Sequence, residues 1–165
     1  MKSINCKGKL IDLSNPRVMG ILNPTPDSFF DGGKYQSKKE VLVQVEKMLN
    51  EGATFIDIGA YSSRPGAENI SENEELSRLL PVLEDIITYF PNILVSVDTF
   101  RSKVAQESVE AGACMINDIS AGGLDKKMFA TMAKLQVPYI IMHMKGTPQT
   151  MQDFTGYDDL IKDIM

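Results

Sequence analysis

A polar residue stands at or just past the end of each of five short apolar runs in this 165-residue chain. Asn23 follows Arg17–Leu22, and Ser63 and Arg64 follow Thr54–Ile58. Asp98 closes Leu94–Asp98, Asn117 and Asp118 fall within Cys114–Ile119, and His143 follows Pro138–Met142. Each has an ordinary structural reading. An Asn before Pro24 often satisfies turn backbone. Asp98 or Thr99 can cap a helix opening at Arg101. A lone loop arginine is usually just solvated. His143, the only histidine, has the chemistry of a general base, but at a strand end it reads as a satisfied structural side chain. The chemical readings gain weight as a set. One amide oxygen at Asn23 suits Mg²⁺, which needs few hard oxygen donors and takes water or phosphate oxygens for the rest. Arg64 sits between hydroxyls and Pro65-Gly66, so a rigid turn can present its planar fork to phosphate or carboxylate. Asp98 can accept from adjacent N–H donors of a planar heterocycle, and Asn117 can read a mixed donor/acceptor edge. Asp57, inside the second run, reads as a buried structural carboxylate with a partner.

The runs that end in these residues are β-rich, and segments of helical period lie between them. Lys38–Glu51 places Val41, Leu42, Val45 and Leu49 on one face, opened by the capping pair Ser37 and Glu40 and stopped at Gly52. Ser71 and Glu74 open a second helix, which Pro81 is expected to kink or restart. Arg101–Ala111 and Asp125–Leu135 follow, and Ile4–Lys7 with Lys9–Leu13 reads as a small hairpin around Gly8. Near-continuous apolar strands alternating with helices imply a parallel sheet. No Gly-x-Gly-x-x-Gly follows the first strand, which disfavours a dinucleotide-binding open sheet. Polar residues gathered at successive strand ends favour a barrel mouth. The expected fold is therefore α/β, a single domain over 1–165 of (β/α)8 TIM-barrel type, with the first five β/α units present.

Composition limits the function classes. The chain is 43% hydrophobic and 24% charged, as in ordinary globular proteins, and its net charge of −5 with no basic stripe argues against nucleic acid. No apolar run approaches the roughly 20 residues of a membrane span, and residues 1–8 lack a signal-peptide pattern. Cys6 and Cys114 have no metal-ligand spacing, so reduced thiols in a cytoplasmic protein are expected.

Four segments closely resemble dihydropteroate synthase, a pterin-binding family of the folate pathway. The first is Met19-Gly20-Ile21-Leu22-Asn23-Pro24-Thr25-Pro26-Asp27-Ser28-Phe29, where the family more often has Val at position 24. Gly59–Ala67 is similar to the family's Glu-Ser-Thr-Arg-Pro-Gly signature, with Tyr61 and Ser63 as departures. Val95–Phe100 with Met115–Ile119, and Met142–Met151, supply the others. The resemblance implies that Asn23 contacts Mg²⁺ and pyrophosphate. It sets Ser63, Arg64 and Pro65 beside the p-aminobenzoate and pyrophosphate sites. It makes Asp98 and Asn117 a pterin floor between the apolar walls Ile119 and Met142, with Phe29 covering the aromatic amine. The implied reaction is displacement of pyrophosphate from (7,8-dihydropterin-6-yl)methyl diphosphate by p-aminobenzoate. Asp98, Asn117 and Arg64 would be the catalytic residues and sulfonamides the competing ligands. The family is usually dimeric, so a homodimer is possible. Competing readings are a pterin-binding methyltransferase domain, a generic phosphate-binding barrel and a non-catalytic fragment. A full barrel needs about 200–250 residues, so a truncated chain with two open sheet edges is expected to associate.

Overall fold

The computed structural model describes residues 2–23, 38–61 and 69–165. Phe29, Ser63, Arg64, Pro65 and the capping residue Ser37 lie outside them. The chain opens with the expected hairpin, β1 (Ser3–Cys6) against β2 (Lys9–Asp12). Lys7 and Gly8 both have positive φ, 51° and 89°, the backbone of a tight two-residue turn that suits twisted strands. Asn5 Oδ1 accepts from Gly8 N at 2.7 Å and secures it.

Next come β3 (Val18–Leu22), α1 (Lys38–Asn50), β4 (Ala53–Ile58), α2 (Glu72–Tyr89), β5 (Val95–Asp98), α3 (Ser102–Glu110), β6 (Met115–Asp118), α4 (Met128–Leu135), β7 (Tyr139–Ile141) and α5 (Leu160–Ile164). Among the described residues β3 to β7 form one parallel sheet in strictly sequential order. A doubly wound sheet reverses its strand order at a switch point. A sequential order instead belongs to successive units of a barrel.

Side chains alternate between the two faces of a strand. Ile56, Ile58, Val95, Val97 and Ile116 face the helices and join Val45, Leu79, Leu83, Ile86, Val104 and Met128 in the main core. Burying each such aliphatic side chain stabilises the fold by about 1.5–3 kcal/mol. The inner face carries Phe55 and Asp57 on β4, Ser96 and Asp98 on β5, and Met115 and Asn117 on β6, as the cross-strand register requires. Its lower end is filled by Phe55, Leu94 and Met115 packed with Cys6, Ile11 and Cys114, so the hairpin plugs the sheet opposite the strand ends. Both thiols are free and buried, as expected.

Three local expectations need correction. Of the kink or restart expected at Pro81, the restart does not occur: α2 is one 18-residue helix. Pro81 is exposed, and the buried stripe Leu76, Leu79, Leu83, Ile86 continues past it. Packing of that stripe outweighs the roughly 3 kcal/mol that an interior proline costs. The helix expected from Asp125 begins at Met128, because the Asp125 carboxylate is used elsewhere. Its Oδ1 accepts from Lys127 N at 2.9 Å, and its Oδ2 from Ser102 N at 2.7 Å. Thr99 Oγ1 accepts from Arg101 N at 3.2 Å, just ahead of α3, while Asp98 does not cap the helix and the N–H of Ser102 is satisfied from the loop between β6 and α4. The cap of α2 is as expected, with Ser71 Oγ accepting from Glu74 N at 3.2 Å.

Candidate active site

The C-terminal ends of the strands carry a polar cluster on the inner face. Asp98 is the last residue of β5 and lies directly across from Asn117 on β6. Asp98 is half-buried, and its carboxylate receives no hydrogen bond from a described residue. Burial, reinforced by the nearby carboxylates of Asp57, Glu75 and Asp118, raises its pKa from 3.8 to about 7. Gly59 keeps room for this group. A Cβ there would lie 3.1 Å from Asp98 Cβ and 3.5 Å from its Oδ2.

Asn117 Nδ2 donates to Asp57 Oδ2 at 3.1 Å. Asp57 is buried with the expected partner, yet its Oδ1 has none among the described residues, and neither does buried Ser96 Oγ. A buried polar atom without a partner costs about 1–3 kcal/mol. Two such atoms on one face, beside the half-buried Asp98 carboxylate, therefore mark a place built for something other than stability. The set can accept hydrogen bonds from a row of N–H donors, and Asp98 can carry or release a proton near neutral pH.

Asp118, the next residue on β6, faces the other way. Its Oδ1 accepts from Ser120 N and Oγ, both at 2.8 Å, and its Oδ2 from Gly122 N at 2.8 Å and Tyr139 Oη at 2.5 Å. It organises the loop after β6, and with burial it pushes the Tyr139 hydroxyl up. Its carbonyl accepts from Met142 N at 3.1 Å, which holds Met142 beside the end of β6. Ile119 is half-buried in the same turn and Met142 is 37% exposed, and both apolar residues border the Asn117 end of the sheet. Asn23 follows β3 directly and is half-buried on the same rim. His143 packs against Tyr157 with ring centroids 5.7 Å apart. It was expected to be a satisfied side chain, but its Nε2 is buried without a partner among the described residues.

An ion pair that the residue spacing did not indicate stands behind this rim. Arg101 Nη1 donates to fully buried Glu75 Oε2 at 2.5 Å, and Thr99 Oγ1 donates to Glu75 Oε1 at 2.8 Å. Burial raises the Glu75 pKa, while Thr99 and Arg101 oppose the shift. Arg101 Nη2 also donates to Ile70 O at 2.7 Å, and its guanidinium lies 5.3 Å from the Tyr61 ring centroid. Tyr61 and Phe100 meet edge to face at 5.0 Å. Arg101 thus holds both flanks of 62–68, the stretch that contains Ser63, Arg64 and Pro65. The only hint in the sequence was Tyr61, where the resembling signature has Glu.

Among the described residues no cluster of three or more His, Cys, Asp or Glu can hold a metal ion. Asn23 offers one neutral amide oxygen on this rim, a hard donor of the kind a hydrated, phosphate-bound Mg²⁺ could use.

Comparison with known proteins agrees with this geometry. The pterin binding enzyme family matches residues 19–165. The chain is 57% identical to the mitochondrial folate synthesis bifunctional protein of Pisum sativum over 152 residues, 89% of this chain and 29% of that protein. The crystal structure of Yersinia pestis dihydropteroate synthase in a sulfonamide complex superposes with a TM-score of 0.87 at 46% identity, covering 98% of this chain and 58% of that one. Dihydropteroate synthase of Xanthomonas albilineans in complex with 7,8-dihydropteroate gives 0.79 at 35% identity, covering 98% and 55%. The chain thus spans between about three tenths and three fifths of these relatives and forms part of the same barrel. With the sequential parallel sheet and the match over 19–165, the chain belongs to the pterin-binding enzyme family.

Proposed function

We propose that this chain supplies the pterin-binding side of a dihydropteroate synthase. That enzyme joins (7,8-dihydropterin-6-yl)methyl diphosphate to p-aminobenzoate and releases pyrophosphate. The observation that carries the reading is the Asp98–Asn117 pair, side by side on β5 and β6, with the Asp98 carboxylate unbonded among the described residues. A pterin presents adjacent N–H donors along one edge, and an ionised carboxylate beside an amide oxygen complements them. Ile119 and Met142 would grip the ring faces. As the carbon–oxygen bond to pyrophosphate breaks, positive charge grows on the pterin and the Asp98 carboxylate favours it. The aniline nitrogen of p-aminobenzoate is neutral at pH 7 and needs no prior deprotonation.

Asn23 would hold Mg²⁺ by its amide oxygen, and the bound ion would neutralise charge on the diphosphate. Arg64 would bind the same anion, while Phe29, Ser63 and Pro65 would contact the aromatic amine. A homodimer and a cytoplasmic setting complete the reading. Among the described residues no helix is long and apolar enough to cross a membrane. The plant relative's name places that protein in mitochondria.

The test is Mg²⁺-dependent incorporation of labelled p-aminobenzoate into 7,8-dihydropteroate. Incorporation that is lost in Asp98→Asn supports the assignment. Undiminished turnover in that variant would remove Asp98 from the site.

A further inference from the structure

We infer that Asp57 is a positioning residue for the Asn117 amide: by holding Nδ2 it leaves Oδ1 as a fixed acceptor for an N–H of the bound heterocycle. The inference rests on the pterin reading of the site and deepens it.

An amide side chain can present oxygen or nitrogen to a ligand after a half-turn that changes little in shape. At Asn117 that choice decides whether the site accepts or donates at this point. An ionised carboxylate only accepts, so Asp57 forces the nitrogen of Asn117 towards itself. The register fixes the direction. Asp57 pairs with Ser96, while Asn117 pairs with Asp98 two residues further along β5. Asp57 therefore lies one inward-facing layer deeper than Asn117. The Nδ2–Oδ2 bond of 3.1 Å points into the sheet, away from the strand ends.

A purely structural role fits poorly. Asp57 is only 4% exposed, and among the described residues neither its Oδ1 nor Ser96 Oγ beside it has a partner. An aliphatic residue would fill the same place without the desolvation cost of a carboxylate. The Asp57 charge also helps raise the pKa of Asp98, so the residue acts on both members of the pair. Its presence costs stability and sets the hydrogen-bond pattern of the rim.

The test is a double-mutant cycle on the full 165-residue chain, read as the affinity for 7,8-dihydropterin, whose ring N–H groups stay protonated in mild alkali, by fluorescence titration. It is run at about pH 8.5, where Asp98 is ionised with or without Asp57. Asp57→Ala is expected to weaken pterin binding about tenfold. In an Asn117→Ala background the same substitution should cost almost nothing, because a positioning residue has then nothing to position. Equal losses in both backgrounds would overturn the inference. A second measurement needs no variant and no ligand: the side-chain NH₂ of Asn117 in the wild-type NMR spectrum. Two well-separated signals with slow solvent exchange are expected, and rapid exchange would overturn the assignment. Should wild-type protein bind no pterin, the functional reading fails, and the NMR result still decides the Asp57–Asn117 pairing by itself.

Discussion

The carboxylate of Asp98 links stability and binding to pH. Burial and neighbouring carboxylates lift its folded-state pKa from 3.8 to about 7. Between these values the folded chain holds a proton that the unfolded chain has released. Stability therefore falls as pH rises from about 4 to 7 and changes little with this group above that range. Asp98→Asn should flatten this part of the profile and raise the melting temperature at about pH 8, since a charge disfavoured in the fold is gone. Thermal melts of both proteins from acid to mildly alkaline pH would show it. A parallel pH dependence in the two would mean that another group titrates. Pterin affinity should move the other way, strengthening through about pH 7 as the carboxylate ionises. Gly59→Ala bears on the same group: its Cβ would lie 3.1 Å from Asp98 Cβ, so pterin binding should weaken severalfold with the fold retained. Circular dichroism and a binding titration on the same sample would separate the two effects.

At the scale of elements, α2 shows how packing overrides local preference. Its cap, Ser71 to Glu74, was legible because capping depends on residues three apart. Its passage through Pro81 was not, because the apolar stripe that stabilises it gains energy only against the sheet and α1. Pro81→Ala should raise stability by about 1–3 kcal/mol, read as an increased denaturant midpoint with an unchanged slope. A loss of stability would show that the proline rigidity is itself needed there. Arg101 makes the opposite point about cost. It is the partner of a fully buried carboxylate, so Arg101→Leu leaves Glu75 uncompensated and should cost about 3–5 kcal/mol. The double change with Glu75→Leu should recover most of that loss in the same unfolding assay.

At the scale of the whole molecule, the sheet formed by the described residues ends in the unpaired edges of β3 and β7. Among the described residues β3 pairs only with β4, and β7 only with β6. Val18 and Ile21 on β3 are 60% and 66% exposed, and Ile141 on β7 is 56% exposed. Unpaired backbone beside exposed aliphatic side chains is a template for further strand pairing. The isolated 165-residue chain is therefore expected to self-associate, with light scattering coupled to size exclusion reporting a mass above 18.3 kDa. A monomer that melts in one cooperative transition would contradict this. The longer relatives, of which this chain covers 58% and 55%, extend beyond the matched part of the barrel.

Element order, strand ends and the inward polar residues were all legible in the sequence. They follow from the 3.6 and 2 periods, from capping pairs and from turn residues, which are local properties of the chain. The strands were read to within a residue or so of Val18–Leu22, Ala53–Ile58, Val95–Asp98, Met115–Asp118 and Tyr139–Ile141. Asp98 and Asn117 were read together because both stand near the C-terminal ends of neighbouring strands and match the pterin floor that the family resemblance implies. Asp57 was read correctly as buried and partnered, but not as the residue that orients Asn117. Those two lie 60 positions apart, and only the relative register of three strands brings them within 3.1 Å. The Glu75–Arg101 pair is 26 positions apart and joins α2 to the start of α3, which no sequence period encodes. Periodicity assigns a residue to a face; which residues on that face touch is decided by strand register and helix packing, and these exist only in the folded chain.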